Sequence, residues 1–134
     1  MFNLQKRPLV GLCLSSGGYY KMRLKEGVVL FGLDLRMRFA LIEAERLWKK
    51  YGIDEGVTVT SGLEGEHSAG SLHYYGLALD FRTRYFTPLE KDDLAMELIN
   101  CLSDCYDVIV HKTHIHVEWR MIDGSFDVDG FFDE

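Results

Sequence analysis

The chain of 134 residues has the length of one domain, and a domain of this size can bury a hydrophobic core without disulfides or structural metals. Hydrophobic residues make up 47% of the sequence and charged residues 27%, which excludes an intrinsically disordered chain and a coiled coil. The net charge of -6 argues against a general nucleic-acid-binding protein, because such proteins carry an excess of Lys and Arg. We expect one domain over residues 1–134 that acts as a monomer.

The sequence gives no sign of membrane association or of a disulfide framework. No segment approaches the ~18 consecutive apolar residues of a membrane span. The apolar run at residues 9–14 is short for a signal peptide, so synthesis in the cytoplasm is expected. Cys13, Cys101 and Cys105 are odd in number, and the last two lie four residues apart in a predicted helix, so buried, unpaired thiols are expected.

The first half of the chain predicts one long helix and two short strands. Residues 1–27 show no clear periodicity, and residues 28–31 are apolar enough for a short strand. A helix is predicted to begin after Asp34 as N-cap and to end at Gly52. Residues 57–60 are β-branched and predict a strand. The expected buried face of the helix consists of Leu35, Phe39, Ile42, Leu47 and Tyr51.

The second half predicts a polar loop over 61–71, a second helix and three more strands. Thr87 can cap this helix, with Pro88 at its first position and Glu90 closing a capping box. Its expected buried face consists of Leu94, Leu98, Cys101 and Leu102. Strands are predicted at 77–81, 107–110 and 114–119. The irregular order of strands and helices favours an α+β fold, with helices packed on a small, mainly antiparallel sheet.

The five histidines are confined to one stretch of the sequence, from His67 to His116. His114 and His116 are two residues apart on a predicted strand, so both imidazoles project from the same face. His111 can lie beside them if the chain turns at residues 112–113. This clustering indicates a shared site for a metal ion or a substrate.

Asp80 stands inside the otherwise apolar predicted strand 77–81, where a carboxylate is costly unless its charge is compensated. His73 precedes Asp80 by seven residues, so the two would face opposite ways in an unbroken strand. Gly76 permits the bend that would bring them together. Two histidines and one carboxylate would leave a fourth position on Zn²⁺ for water.

These residues resemble a known group of zinc peptidases. The group includes D-alanyl-D-alanine carboxypeptidases, phage L-alanyl-D-glutamate endolysins, penicillin-insensitive murein endopeptidases and the hedgehog signalling domain. Its pattern is Ser-x-His-x-x-Gly-x-Ala-x-Asp followed by His-x-His, and the resemblance covers roughly residues 35–119. The matching positions are Ser71, His73, Gly76, Ala78, Asp80, His114 and His116.

The resemblance implies a hedgehog/DD-peptidase-like fold and a zinc peptidase that degrades the peptides of bacterial cell-wall peptidoglycan, in a phage or a bacterium. The implied zinc ligands are His73, Asp80 and His116, and His114 would face the substrate. His111 matches a further histidine of the murein endopeptidase branch. The expected substrate-binding residues are Ser71, Arg82 and His67, with Arg84 as an alternative to Arg82.

Two positions depart from the group's pattern. Leu63 and Glu64 stand where many members have an arginine that grips a substrate carboxylate, and residues 110–113 lack the usual Glu or Asp base. The catalytic base would then be His114 or His111, with the other stabilising the oxyanion.

Some alternatives stay open at this point. The departures favour a zinc-binding domain that has lost the chemistry and binds a partner in its cleft, whereas the complete ligand set with His111 favours the enzyme. Glu118 is expected to be a solvated or ion-paired strand residue rather than a base. The acidic extension 121–134 either packs on the domain or is solvated.

Overall fold

The computed structural model describes residues 9–13, 19–64 and 71–120, with side chains from residue 22 onward. The described part contains six strands, two α-helices and one 3₁₀ turn. In chain order these are β1 (Leu9–Cys13), β2 (Tyr19–Leu24), α1 (Leu35–Lys50), β3 (Thr58–Ser61), the 3₁₀ turn (Leu72–Tyr75), β4 (Ala78–Arg82), α2 (Pro88–Cys101), β5 (Tyr106–Val110) and β6 (His114–Trp119).

The strands form one mixed sheet in the order β1-β2-β3-β4-β6-β5. β2 and β3 pair in parallel, whereas the other four pairings of the described strands are antiparallel. The predicted α+β class and the mainly antiparallel sheet are confirmed.

The core lies between one face of the sheet and the helices. Alternate residues of the central strands supply its sheet side, and the fully buried Trp48 of α1 packs edge-on against Phe81 of β4. The Trp48 indole N–H donates to the Arg82 carbonyl at 2.8 Å, which ties α1 to the end of β4. The other main core side chains are Met22, Leu24, Met37, Leu41, Leu47, Val59, Leu79, Leu94, Leu98, Ile115 and Val117.

The buried carboxylate of Glu45 fixes where β3 begins. It accepts a hydrogen bond from the Val57 N–H at 2.8 Å and forms an ion pair with Lys49 at 3.3 Å. Gly56, at φ +83°, lies so close to this carboxylate that a Cβ there would collide with it. The turn before β3 therefore requires glycine.

Several predictions about the first half of the chain are wrong. Residues 28–31 form no strand, because the Val29 backbone is bound by the Glu64 carboxylate and the Leu63 N–H. Leu35 and Phe39 are exposed, since α1 instead turns Met37, Ala40, Leu41 and Ala44 to the sheet, where the small alanines allow close packing. In residues 1–27 the structure adds β1 and β2.

Cys101 and Cys105 are unpaired, as predicted, but partly exposed rather than buried. The predictions for His67, the Cys13 thiol and the acidic extension concern atoms outside the described residues. No helix in the described ranges combines the length and apolarity needed to cross a membrane.

Both helices begin with the predicted caps. The Thr87 hydroxyl and the Glu90 carboxylate bind each other's backbone N–H at the start of α2, which confirms the capping box. At the start of α1 the Asp34 carboxylate accepts hydrogen bonds from the Arg36 backbone N–H and guanidinium, each at 2.8 Å. These bonds from Arg36 outweigh partial burial and lower the pKa of Asp34 to about 2.

We predict that Asp34→Ala lowers the free energy of unfolding by about 1 kcal/mol at pH 7. The folded pKa lies below the unfolded value of about 3.9, so the stabilisation is present above that value and is lost as pH falls toward about 2. Urea unfolding of both proteins between pH 7 and pH 3 measures the effect. Asp54→Ala, which removes an exposed turn carboxylate, is the control. A difference between wild type and Asp34→Ala that stays constant down to pH 3 would contradict this assignment.

Candidate metal centre

The register of β4 and β6 brings the central polar residues together. Asp80 pairs directly with His116, and Arg82 pairs with His114. The intervening residues Phe81 and Ile115 point into the core. Asp80, His114 and His116 therefore share the face of the sheet that is turned away from the helices.

His73 reaches this face from the 3₁₀ turn before β4. The Ser71 hydroxyl accepts from the His73 N–H at the start of the turn, and Gly76 ends it in the left-handed region at φ +71°. A Cβ at Gly76 would collide with the Gly32 carbonyl. The predicted bend at Gly76 is confirmed, and its close contact restricts the position to glycine.

The His73 ring is held in one orientation and one tautomer. Its Nδ1 lies 2.9 Å from the Gly62 carbonyl oxygen, which can only accept, so Nδ1 carries the proton. The lone pair of Nε2 then faces Asp80, whose Oδ1 lies 3.4 Å away. Hydrogen bonds from the second ring nitrogen to a backbone carbonyl are the usual support of metal-binding histidines.

His73, Asp80 and His116 offer three ligand atoms that all lie within 4.8 Å of one another, so they could hold a metal ion. His116 Nδ1 is 2.8 Å from Asp80 Oδ1. His73 is buried, and the other two are partly buried. The sequence placed the same three residues together.

Mutual hydrogen bonding determines the charge state of this group. Burial alone would raise the pKa of Asp80, but the hydrogen bond from His116 and the neighbouring His73 outweigh it and hold the pKa well below its usual range. Burial likewise acts to lower the pKa of His116, and the Asp80 and Glu118 carboxylates reverse the shift and raise it. Asp80 is thus an anion surrounded by imidazoles, which is the protonation state that cation binding requires.

Glu118 is a site residue for which the sequence favoured a solvated or ion-paired position. Its Oε1 lies 2.7 Å from His116 Nε2 and accepts a hydrogen bond from that nitrogen, which leaves Nδ1 to face Asp80. His114, His116 and Glu118 alternate along β6, so the sequence could indicate that they share one face of the sheet. It does not reveal which nitrogen of His116 binds Glu118.

His114 and His111 lie at the edge of the group. His114 Nε2 is 3.8 Å from Asp80 Oδ2. The His111 and His114 rings stack with their centroids 4.6 Å apart. The His111 N–H donates to the His114 carbonyl at 2.8 Å, which confirms the predicted turn at residues 112–113. Burial lowers the pKa of His114, with Asp80 opposing the shift and His111 adding to it, so this imidazole favours its neutral form.

Ser71 and Arg82, two of the residues expected to bind substrate, lie in different parts of the structure. Ser71 caps the turn that carries His73. Arg82 is on the same face as the metal-binding residues and lines a neighbouring cavity with Arg84. Glu64 accepts from the Val29 and Gly62 N–H groups and so supports the loop that holds His73.

Comparisons with known proteins leave this geometry as the main guide to function. No protein-family model matches the sequence, and the search of curated proteins finds no match.

We predict that Glu118→Ala weakens zinc binding by about 10- to 100-fold, the usual effect of removing a carboxylate that orients a metal-binding histidine. Competition of the purified protein with a fluorescent zinc chelator measures the affinity. Asp107→Ala is the matched control, because Asp107 pairs with Glu118 across β5 and β6 but forms an ion pair with Arg120. Equal zinc affinity in wild type and Glu118→Ala would show that Glu118 does not orient His116.

Proposed function

We propose that this protein is a zinc-dependent peptidase that hydrolyses peptide bonds in bacterial peptidoglycan. The observation that carries the proposal is the convergence of His73, Asp80 and His116 beside His114 on one face of the sheet. Two imidazoles and one carboxylate are a known ligand set for catalytic zinc, which keeps a fourth position for water or substrate.

The spacing of the ligand atoms fits zinc. Ligands at about 2.0–2.1 Å from a tetrahedral ion are about 3.3 Å apart, and His73 Nε2 lies 3.4 Å from Asp80 Oδ1. The shorter 2.8 Å contact of His116 with Asp80 is a hydrogen bond that metal binding would replace. The supporting contacts of His73 with Gly62 and of His116 with Glu118 use the nitrogens that a metal would leave free.

When bound, zinc would polarise the scissile carbonyl and acidify a water molecule at the open position. The chain's own residues must then move the protons. His114 is close to Asp80 without belonging to the three-residue ligand group, and its neutral form can accept a proton from that water. His111, stacked on His114, is the second imidazole for stabilising the oxyanion or protonating the leaving amine.

The substrate class rests on the resemblance to wall-degrading zinc peptidases. Carboxypeptidase and endopeptidase or endolysin activities all fit this resemblance, for an enzyme of a bacterium or of a phage.

One observation favours a second function, in which a zinc-binding domain binds a partner without hydrolysing it. The carboxylates of Asp80 and Glu118 both bind the imidazole of His116, and that of Glu64 binds backbone N–H groups. All three are committed to structural contacts, so among the residues that the structure describes proton transfer depends on His114 and His111.

We predict that wild type binds one zinc ion per chain and releases peptide fragments or free D-alanine from purified peptidoglycan. His114→Ala should retain the zinc but lose at least about 100-fold in rate, because it removes the proton acceptor. Asp80→Ala should lose both zinc and activity. Elemental analysis and mass spectrometry of the released products measure these results, with Lys112→Ala on the adjacent exposed turn as the control.

Each contrary result has a definite meaning. One zinc per chain with no product from wild type would favour the partner-binding function. Undiminished hydrolysis by His114→Ala would remove His114 from the mechanism. Full zinc occupancy in Asp80→Ala would refute the ligand assignment.

A further inference from the structure

A cavity of about 260 Å³ lies near the metal centre and shares strand β4 with it. Its walls come from β2, β3, the end of β4 and the loops next to them. The lining residues that matter here are Arg23, Glu55, Thr58, Arg82, Arg84 and Tyr85.

The cavity begins at Arg82, two residues along β4 from Asp80 of the metal centre. Arg23 pairs with Thr58 across β2 and β3, and Arg82 pairs with His114 across β4 and β6. Asp80 precedes Arg82 by two residues, so it shares the same face about 7 Å further along the strand. A single ligand can therefore span the cavity and the metal centre.

Three guanidinium groups and one carboxylate line this cavity, although the whole chain has a net charge of -6. Guanidinium groups stay protonated at all physiological pH values, so they provide a fixed positive charge. The Arg23 guanidinium is held by the Glu55 backbone carbonyl, which accepts from Nη1 at 2.9 Å. The Arg82 carbonyl accepts from the Trp48 indole, which fixes the backbone at the end of β4. Several planar guanidinium donors around one cavity are suited to a carboxylate.

The volume indicates how much of a ligand the cavity can take. Sites for complete drug-sized ligands occupy about 300–1,000 Å³, so 260 Å³ suits one substituent of a larger molecule. We propose that this cavity binds a carboxylate-bearing side chain of the peptide whose neighbouring residues lie at the metal centre. The proposal rests on the proposed function and defines its substrate as an acidic peptide.

The carboxylate site can be tested first without metal. The probes are N-acetyl-glutamate α-amide and N-acetyl-glutaminamide, which differ only in a carboxylate and a carboxamide. In NMR titrations of the full chain, we expect the acid to shift the amide signals of Thr58, Arg82 and Arg84 in a saturable manner. Its affinity should fall about tenfold in Arg84→Gln, because one charge-assisted hydrogen bond is lost, and should be unchanged in Arg38→Gln on the exposed surface of α1. Equal shifts from acid and amide would overturn the carboxylate site.

The link to the metal centre is tested with zinc-loaded protein and two zinc-chelating peptides, acetyl-Glu-Ala-hydroxamate and acetyl-Gln-Ala-hydroxamate. Calorimetry should show that the acidic peptide binds about tenfold more tightly to wild type and to Arg38→Gln, and that Arg84→Gln loses this preference. Equal affinities for wild type would overturn the proposal that one ligand spans both sites. Failure of both hydroxamates to bind, combined with a positive result in the metal-free titration, would instead refute the zinc centre and leave the carboxylate site standing.

Discussion

The carboxylate of Asp80 is the constraint on which the site depends. It lies in the middle of the sheet, on a strand whose neighbouring residues Leu79 and Phe81 are completely buried in the core. A partly buried anion needs compensating partners, and here they are the imidazoles of His116 and His73. The first partner comes directly from strand pairing. The second requires the chain to bend back at Gly76, so the tight turn before β4 and the polar cluster are parts of one arrangement.

Supporting contacts then fix the orientation of each imidazole. The Gly62 carbonyl holds His73 from behind, and Gly62 is itself bound through its N–H by Glu64. Glu118 holds the outer nitrogen of His116. Such preorganisation limits the rearrangement needed to bind a metal, and it leaves His114 as the imidazole that can exchange protons. The cost is that the carboxylates around the site serve as supports. Within the described ranges, the base of an active enzyme would then be a histidine.

The sequence predicted the parts of this structure that depend on local rules. Capping by Asp34 and Thr87, the alternation in β4 and β6, and the bend at Gly76 follow from short-range chemistry, so they were found. The grouping of His73, Asp80 and His116 as candidate ligands came from the family resemblance. Features that depend on distant contacts were missed. β2 has no clear periodicity of its own and is defined by its pairing with β1 and β3. The contact of the buried Glu45 with Val57 and the three-arginine cavity each join segments whose proximity only the fold establishes.

X-ray absorption at the zinc edge of the zinc-loaded protein tests the central claim most directly, because it identifies the atoms that bind the metal. We expect one zinc ion per chain, bound by nitrogen and oxygen at about 2.0–2.1 Å, with the scattering pattern of two imidazoles and no sulfur. The partly exposed thiols of Cys101 and Cys105 offer the contrasting site. A zinc–sulfur distance of about 2.3 Å, or no stoichiometric binding, would contradict the assignment of His73, Asp80 and His116 as a metal centre.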